Sequence, residues 1–281
     1  MSNNETRRRE AMQQLERELS ARDRKEKSKP LAIVAASLAI ILAIVGGIWF
    51  ANSRTTDETV DAAASSTTAS EDADTIAPVL DGKRTTPLPD TVTCAYNQNE
   101  RPAKDVGLPP TENVSATGTV DITLDTSAGK IPLTLDRAAA PCTVNAITYL
   151  ASKDYYDDVV CHRLTTSGIK VLQCGDPSGT GAGGPGFTFA DEYPVDVVDD
   201  QLVTYPRGSV AMANAGPSTN GSQFFLNYGD SPLPPNYTYF GTIADEGLTT
   251  LDAIAAKGTA DGQSDGAPAE EVKIANVEVA N

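Results

Sequence analysis

Three short stretches of the chain carry side chains able to do chemistry. The first is Val159-Val160-Cys161-His162-Arg163-Leu164, where the only histidine stands beside Arg163. One histidine is too few for a His-built metal site, and no metal or other cofactor is expected. Arg163 is a permanent cation with a planar fork of N–H donors, suited to a carboxylate or to a carbonyl that gains charge. Residue types alone make a surface carboxylate its ordinary partner. The second stretch is Val171-Leu172-Gln173-Cys174-Gly175-Asp176, whose Gln173 amide can donate and accept at once. The third is Arg207 to Phe225, RGSVAMANAGPSTNGSQFF. Val210-Ala211-Met212 and Gln223-Phe224-Phe225-Leu226 read as short strands, and Asn214 to Ser222 between them is a run of turn formers. Such a loop sets amides and hydroxyls on a rigid rim, although its composition alone would fit any surface loop. Gly179 to Gly186 lacks the Lys-Ser/Thr and the following helix of a phosphate-binding loop. The acidic run Asp191 to Asp200 lacks the spacing of a calcium-binding loop.

The elements that must hold these residues are mostly strands. Val120, Ile122 and Leu124 alternate with polar residues, a turn follows at Ser127-Ala128-Gly129, and Ile131, Leu133 and Leu135 alternate again. This is a half-buried hairpin. Pro132 suggests an edge or an irregular pair. Pro141 opens a helix through about Ser152, with Val144, Ile147 and Leu150 on one face. Val159 to Leu164 and Val171 to Gln173 are strands joined by Thr165-Thr166-Ser167-Gly168. Leu248 to Lys257 forms a second helix stopped by Gly258, with Leu248, Leu251 and Ile254 inward. Val272, Ile274, Val277 and Val279 make a last strand whose alternation slips, so a bulge is expected after Ile274. Many short strands with two helices imply a β-barrel or sandwich.

The N-terminal part has another character. Residues 1–30 hold nine Lys/Arg against six Asp/Glu, residues 31–51 hold no charge, and the remainder holds 13 against 32. We read 1–30 as a charged cytoplasmic tail. Residues 31–51, LAIVAASLAIILAIVGGIWFA, would span about 31 Å as a helix, close to the thickness of a bilayer core. Trp49 and Phe50 stand at its far end, as aromatic-belt residues do. Arg54 is the only Lys/Arg in the 20 residues that follow, so the positive-inside rule puts the N-terminus in the cytoplasm. The expectation is an uncleaved single-pass membrane anchor with the C-terminal bulk outside the cytoplasm. Residues 52–116 read as a disordered or irregular tether, with Cys94 and Tyr96 hinting that part of it docks. Residues 117–281 form the domain. Its acidity argues against nucleic acid as a partner.

The string Met-Ala-Asn-Ala-Gly-Pro-x-Thr-Asn-Gly-Ser-Gln-Phe-Phe, from Met212 to Phe225, closely resembles the signature of the cyclophilin family of peptidyl-prolyl cis/trans isomerases. The resemblance covers roughly residues 117–281 and suggests a membrane-anchored bacterial, actinobacterial-like form. It implies a mainly β fold: a closed eight-stranded antiparallel β-barrel capped by two α-helices, with the transmembrane helix ahead of it. It implies isomerisation of Xaa-Pro bonds in proline-containing polypeptides, here during extracytoplasmic folding, by a monomer. His162-Arg163 is similar to the family's Phe-His-Arg strand, which makes Arg163 the main catalytic residue. Gln173 matches the family's glutamine, as a second catalytic residue that orients the arginine or holds a substrate carbonyl. Ala213, Asn214 and Ala215 resemble the segment that binds substrate backbone. Val171, Phe225 and Leu233 would line the proline pocket. Gln223 would face substrate beside Phe225, and Phe224 would point into the core.

Several positions depart from the family. The segment between Arg163 and Gln173 is two residues longer than usual, and Ile169 or Lys170 stands where the pocket has a phenylalanine. Tyr237 replaces a common histidine and would still contact substrate. Pro232 stands where many eukaryotic members carry the tryptophan that contacts cyclosporin, so weak cyclosporin binding is expected. A non-catalytic proline-binding or chaperone module on the same fold is the alternative reading. The four cysteines all fall outside the membrane in this topology, and an even count in an oxidising compartment suggests two disulfides, with three connectivities open. Cys161 and Cys174 sit on strands joined by a short hairpin, which favours pairing them and leaves Cys94 with Cys142.

Overall fold

The computed structural model describes residues 77–99, 102–195, 198 and 201–280. The tail expected at 1–30, the anchor expected at 31–51 and the first part of the tether lie outside the described residues. Among the described residues no helix is long and apolar enough to cross a membrane. The strands are, in order, β1 (Thr91–Val92), β2 (Asn97–Gln98), β3 (Val114–Ser115), β4 (Thr119–Thr126), β5 (Gly129–Asp136), β6 (Val159–Val160), β7 (Arg163–Thr165) and β8 (Val171–Cys174). There follow β9 (Phe187–Thr188), β10 (Val203–Tyr205), β11 (Ser209–Met212), β12 (Phe224–Asn227), β13 (Ser231–Leu233), β14 (Tyr239–Ile243), β15 (Asp265–Gly266) and β16 (Lys273–Val279). Helix α1 is Pro141–Ala151 and α2 is Asp245–Ala255.

One sheet of ten strands, ordered β15-β7-β8-β12-β11-β14-β5-β4-β16-β6, carries the domain, and every pair in it is antiparallel. This corrects the closed eight-stranded barrel. The sheet curls but does not close, because no ladder joins β15 or β7 to β6. The reason lies in the strand expected at Val159–Leu164. It breaks at Cys161-His162, its first half pairing with β16 and its second with β8 and β15. The expected bulge in β16 falls between Ile274 and Asn276.

Pairing register separates an inner row from an outer one. Leu164, Leu172, Leu226, Val210, Gly241 and Leu135 stand opposite one another along β7, β8, β12, β11, β14 and β5. Their apolar members pack in the main core under the two helices. Because side chains alternate across a strand, the neighbouring row must project from the other face. Pro132 sits in a central strand, not at an edge. It pairs with Thr123 just beyond the last β14 partner, where its missing N–H breaks no bond, and its carbonyl accepts from Ala244 N. Val144, Ile147 and Leu150 of α1 are buried as the spacing requires. The start of α1 lacks a side-chain cap of its own, and Glu192 supplies one from a distance, accepting from Cys142 N at 3.1 Å and Thr143 N at 2.8 Å. Helix α2 begins three residues before the expected Leu248, with Asp245 and Glu246 in its first turn, where acidic side chains favour a helix start.

From residue 77 onward the segment ahead of the domain lies along it. Leu80, Cys94, Tyr96, Val114 and Ala116 are buried. β1 pairs with β3, and β2 pairs with β9. The structure joins Cys94 to Cys142 and Cys161 to Cys174. Tyr96 packs edge-on against Phe187 and Phe189 at 5.5 and 5.6 Å and donates to the Cys142 carbonyl at 2.8 Å. Converting Cys94 and Cys142 together to alanine should lower stability by about 3–4 kcal/mol, since the bridge constrains 48 residues of unfolded chain. Denaturant unfolding under non-reducing conditions measures this. An unchanged midpoint would mean that the arm is not coupled to the domain.

Candidate active site

The outer row begins at Arg163. In the ladder Arg163 stands opposite Gln173, Gln173 opposite Phe225, and Phe225 opposite Ala211. Three strands thus bring a guanidinium, an amide and an aromatic ring to one face, directly across from the leucine row. Phe224, one residue from Phe225, faces the core and packs edge-on against Tyr156 at 5.8 Å.

A chain of hydrogen bonds runs along this face. Asp265 accepts from Arg163 Nε at 2.8 Å and Nη2 at 2.7 Å, a bidentate pair. Arg163 Nη1 donates to Gln173 Oε1 at 3.4 Å. Gln173 Nε2 donates to Gln223 Oε1 at 3.0 Å, and Gln223 Nε2 donates to the Gly181 and Gly183 carbonyls at 3.0 and 2.9 Å. The guanidinium has five N–H donors. Three are engaged this way, so among the described residues two remain for another acceptor. Donating to Asp265 raises the already high pKa of Arg163, and the same bond lowers that of Asp265. The pair is half-exposed, with side chains 41% and 52% accessible, so it orients the fork more than it stabilises the fold. Sequence reasoning missed Asp265. It lies on a two-residue strand in a polar turn, and only the β15–β7 pairing places it against the arginine.

The glycine-rich loop is organised by a buried carboxylate. Asp176 accepts from Ser178 N, Gly181 N and Gly183 N at 2.7, 2.7 and 3.0 Å, and from the Ser178 hydroxyl at 2.7 Å. Burial pushes the Asp176 pKa up, but these bonds outweigh burial and hold it below 3.8. A depressed carboxyl contributes stability that is present above its ordinary pKa and lost as pH falls through the lower, folded value. The Gly181 and Gly183 amide resonances should therefore hold steady down to about pH 4 and shift together below it. Asp176→Asn should abolish that acid transition, and a transition surviving in the variant would assign it elsewhere.

Beside the chain lies an apolar cluster. Val171, Ala211 and Phe225 are buried in it, with Ile169, Ala213, Leu233 and Tyr237 packed against it. Phe225, Tyr205 and Tyr237 form a triangle of edge-on rings, 5.6 to 6.4 Å apart. Tyr205 fixes the loop at Tyr237, donating to its carbonyl at 2.7 Å and accepting from its N–H at 3.2 Å. The position left open between Ile169 and Lys170 goes to Ile169, because Lys170 lies over Gly229 instead.

Adjoining this cluster is a groove of about 740 Å³. Gln173, Ala213, Asn214, Ala215 and Gln223 line it. The Asn214 side chain is committed to its own loop, donating to Asn236 O at 2.8 Å and accepting from Gly216 N at 3.2 Å. Among the described residues nothing bonds the Asn214 backbone N–H or C=O, which leaves them to an extended chain in the groove. The ten residues singled out by sequence therefore converge, but in two neighbouring sets joined at Ala213. Arg163, Gln173 and Gln223 link into the hydrogen-bond chain, and Val171, Phe225, Leu233 and Tyr237 form the apolar wall. Asn99, Phe187 and Thr188 also line the groove and were not expected there. His162 stands apart. Its Nδ1 has no partner among the described residues, burial lowers its pKa, and its ring meets Gly181.

The domain is thus a curled antiparallel sheet with two helices that carries a fixed guanidinium beside an apolar cluster and an adjoining groove. The chain belongs to the family described as cyclophilin type peptidyl-prolyl cis-trans isomerase/CLD, which matches residues 119–279. It is 50% identical over 193 residues to the Probable peptidyl-prolyl cis-trans isomerase B of Mycobacterium tuberculosis, covering 66% of this chain and 63% of that one. It therefore spans just under two thirds of that relative's length. It is 38% identical over 162 residues to the Peptidyl-prolyl cis-trans isomerase-like 1 of Gibberella zeae, covering 57% of this chain and 95% of that one. The crystal structure of a Cryptosporidium parvum cyclophilin type peptidyl-prolyl cis-trans isomerase aligns with a TM-score of 0.50 at 30% identity, covering 58% of this chain and 99% of that one.

Proposed function

We propose that the chain accelerates cis/trans isomerisation of Xaa-Pro bonds in polypeptides that fold outside the cytoplasm. The observation that carries this is the Arg163 fork, fixed by Asp265 and Gln173 at the edge of the apolar pocket around Phe225. Rotation about an Xaa-Pro bond meets a barrier of about 20 kcal/mol because the amide shares its nitrogen lone pair with the carbonyl. At the twisted transition state that sharing is lost and the nitrogen becomes a hydrogen-bond acceptor. A fixed N–H donor reaching that nitrogen binds the twisted amide better than either planar isomer, which lowers the barrier. The apolar cluster of Val171, Phe225, Leu233 and Tyr237 would hold the ring, while the Asn214 backbone and the second N–H of the Gln173 amide, steadied by Gln223, engage the flanking backbone.

The apolar run at 31–51 and the basic residues before it support a single-pass anchor with the domain on the far side of the membrane. The two disulfides agree with an oxidising compartment. Pro232, on the β13 edge of the site, supports weak cyclosporin binding, and inhibition at low nanomolar concentration would refute that. The test of function is exchange spectroscopy on an Xaa-Pro tetrapeptide with the full chain. Catalysed interconversion is expected. Binding without interconversion would favour the non-catalytic proline-binding module.

A further inference from the structure

A second cavity of about 390 Å³ continues the groove away from Arg163. Asn99 and Pro185 line both cavities, so the two meet there. The first is walled at its near end by Gln173 and Gln223 and has no charged residue among the described residues of its lining. The second ends at Asp105 and Leu108, and among the described residues Asp105 is the charged one lining it. The outer wall is not part of the stretch that matches the family, which starts at residue 119. It is built by the arm. β2 adds to β9, Asn99 N donates to Gly186 O at 2.8 Å, and Ala103 N donates to Gly184 O at 2.8 Å. Tyr96 and the Cys94–Cys142 bridge fasten that wall to α1.

We infer that the arm extends the substrate site, so that the furrow from Gln173 to Asp105 binds the polypeptide flanking the target proline and favours a basic side chain at its far end. This rests on the isomerase reading above. The occupant is set by continuity. The furrow opens from the groove where the Asn214 backbone awaits an extended chain, and a chain held there with its proline at Phe225 has this path to follow. The uncharged near half suits backbone amides and neutral side chains. The Asp105 carboxylate at the far half suits Lys or Arg, within a domain whose surplus of acidic residues attracts basic peptides in any case.

The experiment uses the full chain and peptides that share one Xaa-Pro core. One is a tetrapeptide, and the others are lengthened by about six residues on one side or the other and end in Lys or in Glu, long enough at about 3.3 Å per residue to leave the pocket. Affinity is read by fluorescence anisotropy, independently of turnover, and KM and kcat by exchange spectroscopy. Lengthening on one side should tighten binding about tenfold and lower KM while kcat stays level. Lys should exceed Glu by about threefold at low salt. Asn99→Trp, at the junction, should erase the length effect, and Asp105→Lys should reverse the Lys/Glu order. Each effect is a ratio within one variant, so a partial folding defect does not mimic it. Equal affinity for short and long peptides, or a charge order indifferent to residue 105, overturns the inference. Tetrapeptide turnover without a length effect would overturn it alone, whereas length-dependent binding without any turnover would overturn the isomerase reading and leave the furrow standing.

Discussion

Replacing Arg163 by alanine should lower kcat/KM for an Xaa-Pro peptide by about 10²–10³. Most of the loss should fall in kcat. The guanidinium acts on charge that develops only as the amide twists, whereas Phe225, Val171 and Leu233 hold the proline ring equally in both isomers. Lysine should restore little, because a single ammonium cannot hold Asp265 and Gln173 together while still presenting a donor to substrate. The fold should tolerate the change. The ion pair is half-exposed, so its loss costs at most about 1 kcal/mol. The same reasoning predicts a level pH profile between about pH 5 and 9, since the reaction moves no proton and the ionised forms of Arg163 and Asp265 persist across that range. A bell-shaped profile centred near neutrality would instead implicate His162. Steady-state kinetics and thermal unfolding on the same preparation separate these outcomes. A variant that unfolds would show a structural role, and one that is folded and fully active would remove Arg163 from the mechanism.

How much of this site was legible in the sequence depended on whether its parts were local. Gln173, Phe225 and the loop from Ala213 to Ser222 sit in continuous strings that resemble family motifs, so the resemblance put Phe225 at the site and alternation then turned Phe224 inward. The helices were legible for the same reason, since an apolar face repeats within a few residues. Asp265 was not legible. Its neighbours form a polar turn, and its partner lies 102 residues away. The arm was only half legible. Polar composition and scattered prolines read as a tether, and nothing local to Asn97-Gln98 says that Phe187-Thr188 offers them a free edge. The barrel's closure failed at a similar point. Val159 to Leu164 is apolar enough to read as one strand, but its two halves answer to different neighbours, which only the assembled sheet specifies.

Gly175→Ala should destabilise the domain by about 4 kcal/mol and lower the activity of whatever remains folded. Gly175 has φ +98°, in a region that costs an L-residue about 1–2 kcal/mol. A Cβ there would also stand 2.3 Å from the Ser222 carbonyl oxygen and 3.0 Å from Gln223 Cα. These are backbone atoms with no room to retreat. Ser222 is buried, its carbonyl accepts from Tyr156 at 3.2 Å, its hydroxyl donates to the Gly175 carbonyl at 2.7 Å, and Tyr155 lies 3.0 Å from that hydroxyl. Overpacking of this kind adds about 1–3 kcal/mol. Gly179→Ala is the matched control, for it shares a positive φ of +67° but has nothing within 4 Å of a Cβ. The difference between the two denaturation midpoints isolates the clash. Relief of that clash must push Ser222 and Gln223 away from β8, and Gln223 carries the hydrogen bond that positions Gln173. The folded fraction of Gly175→Ala should therefore show kcat reduced about tenfold or more, while Gly179→Ala stays closer to wild type. Equal stability in the two variants would mean that the strand pair yields where the packing says it cannot.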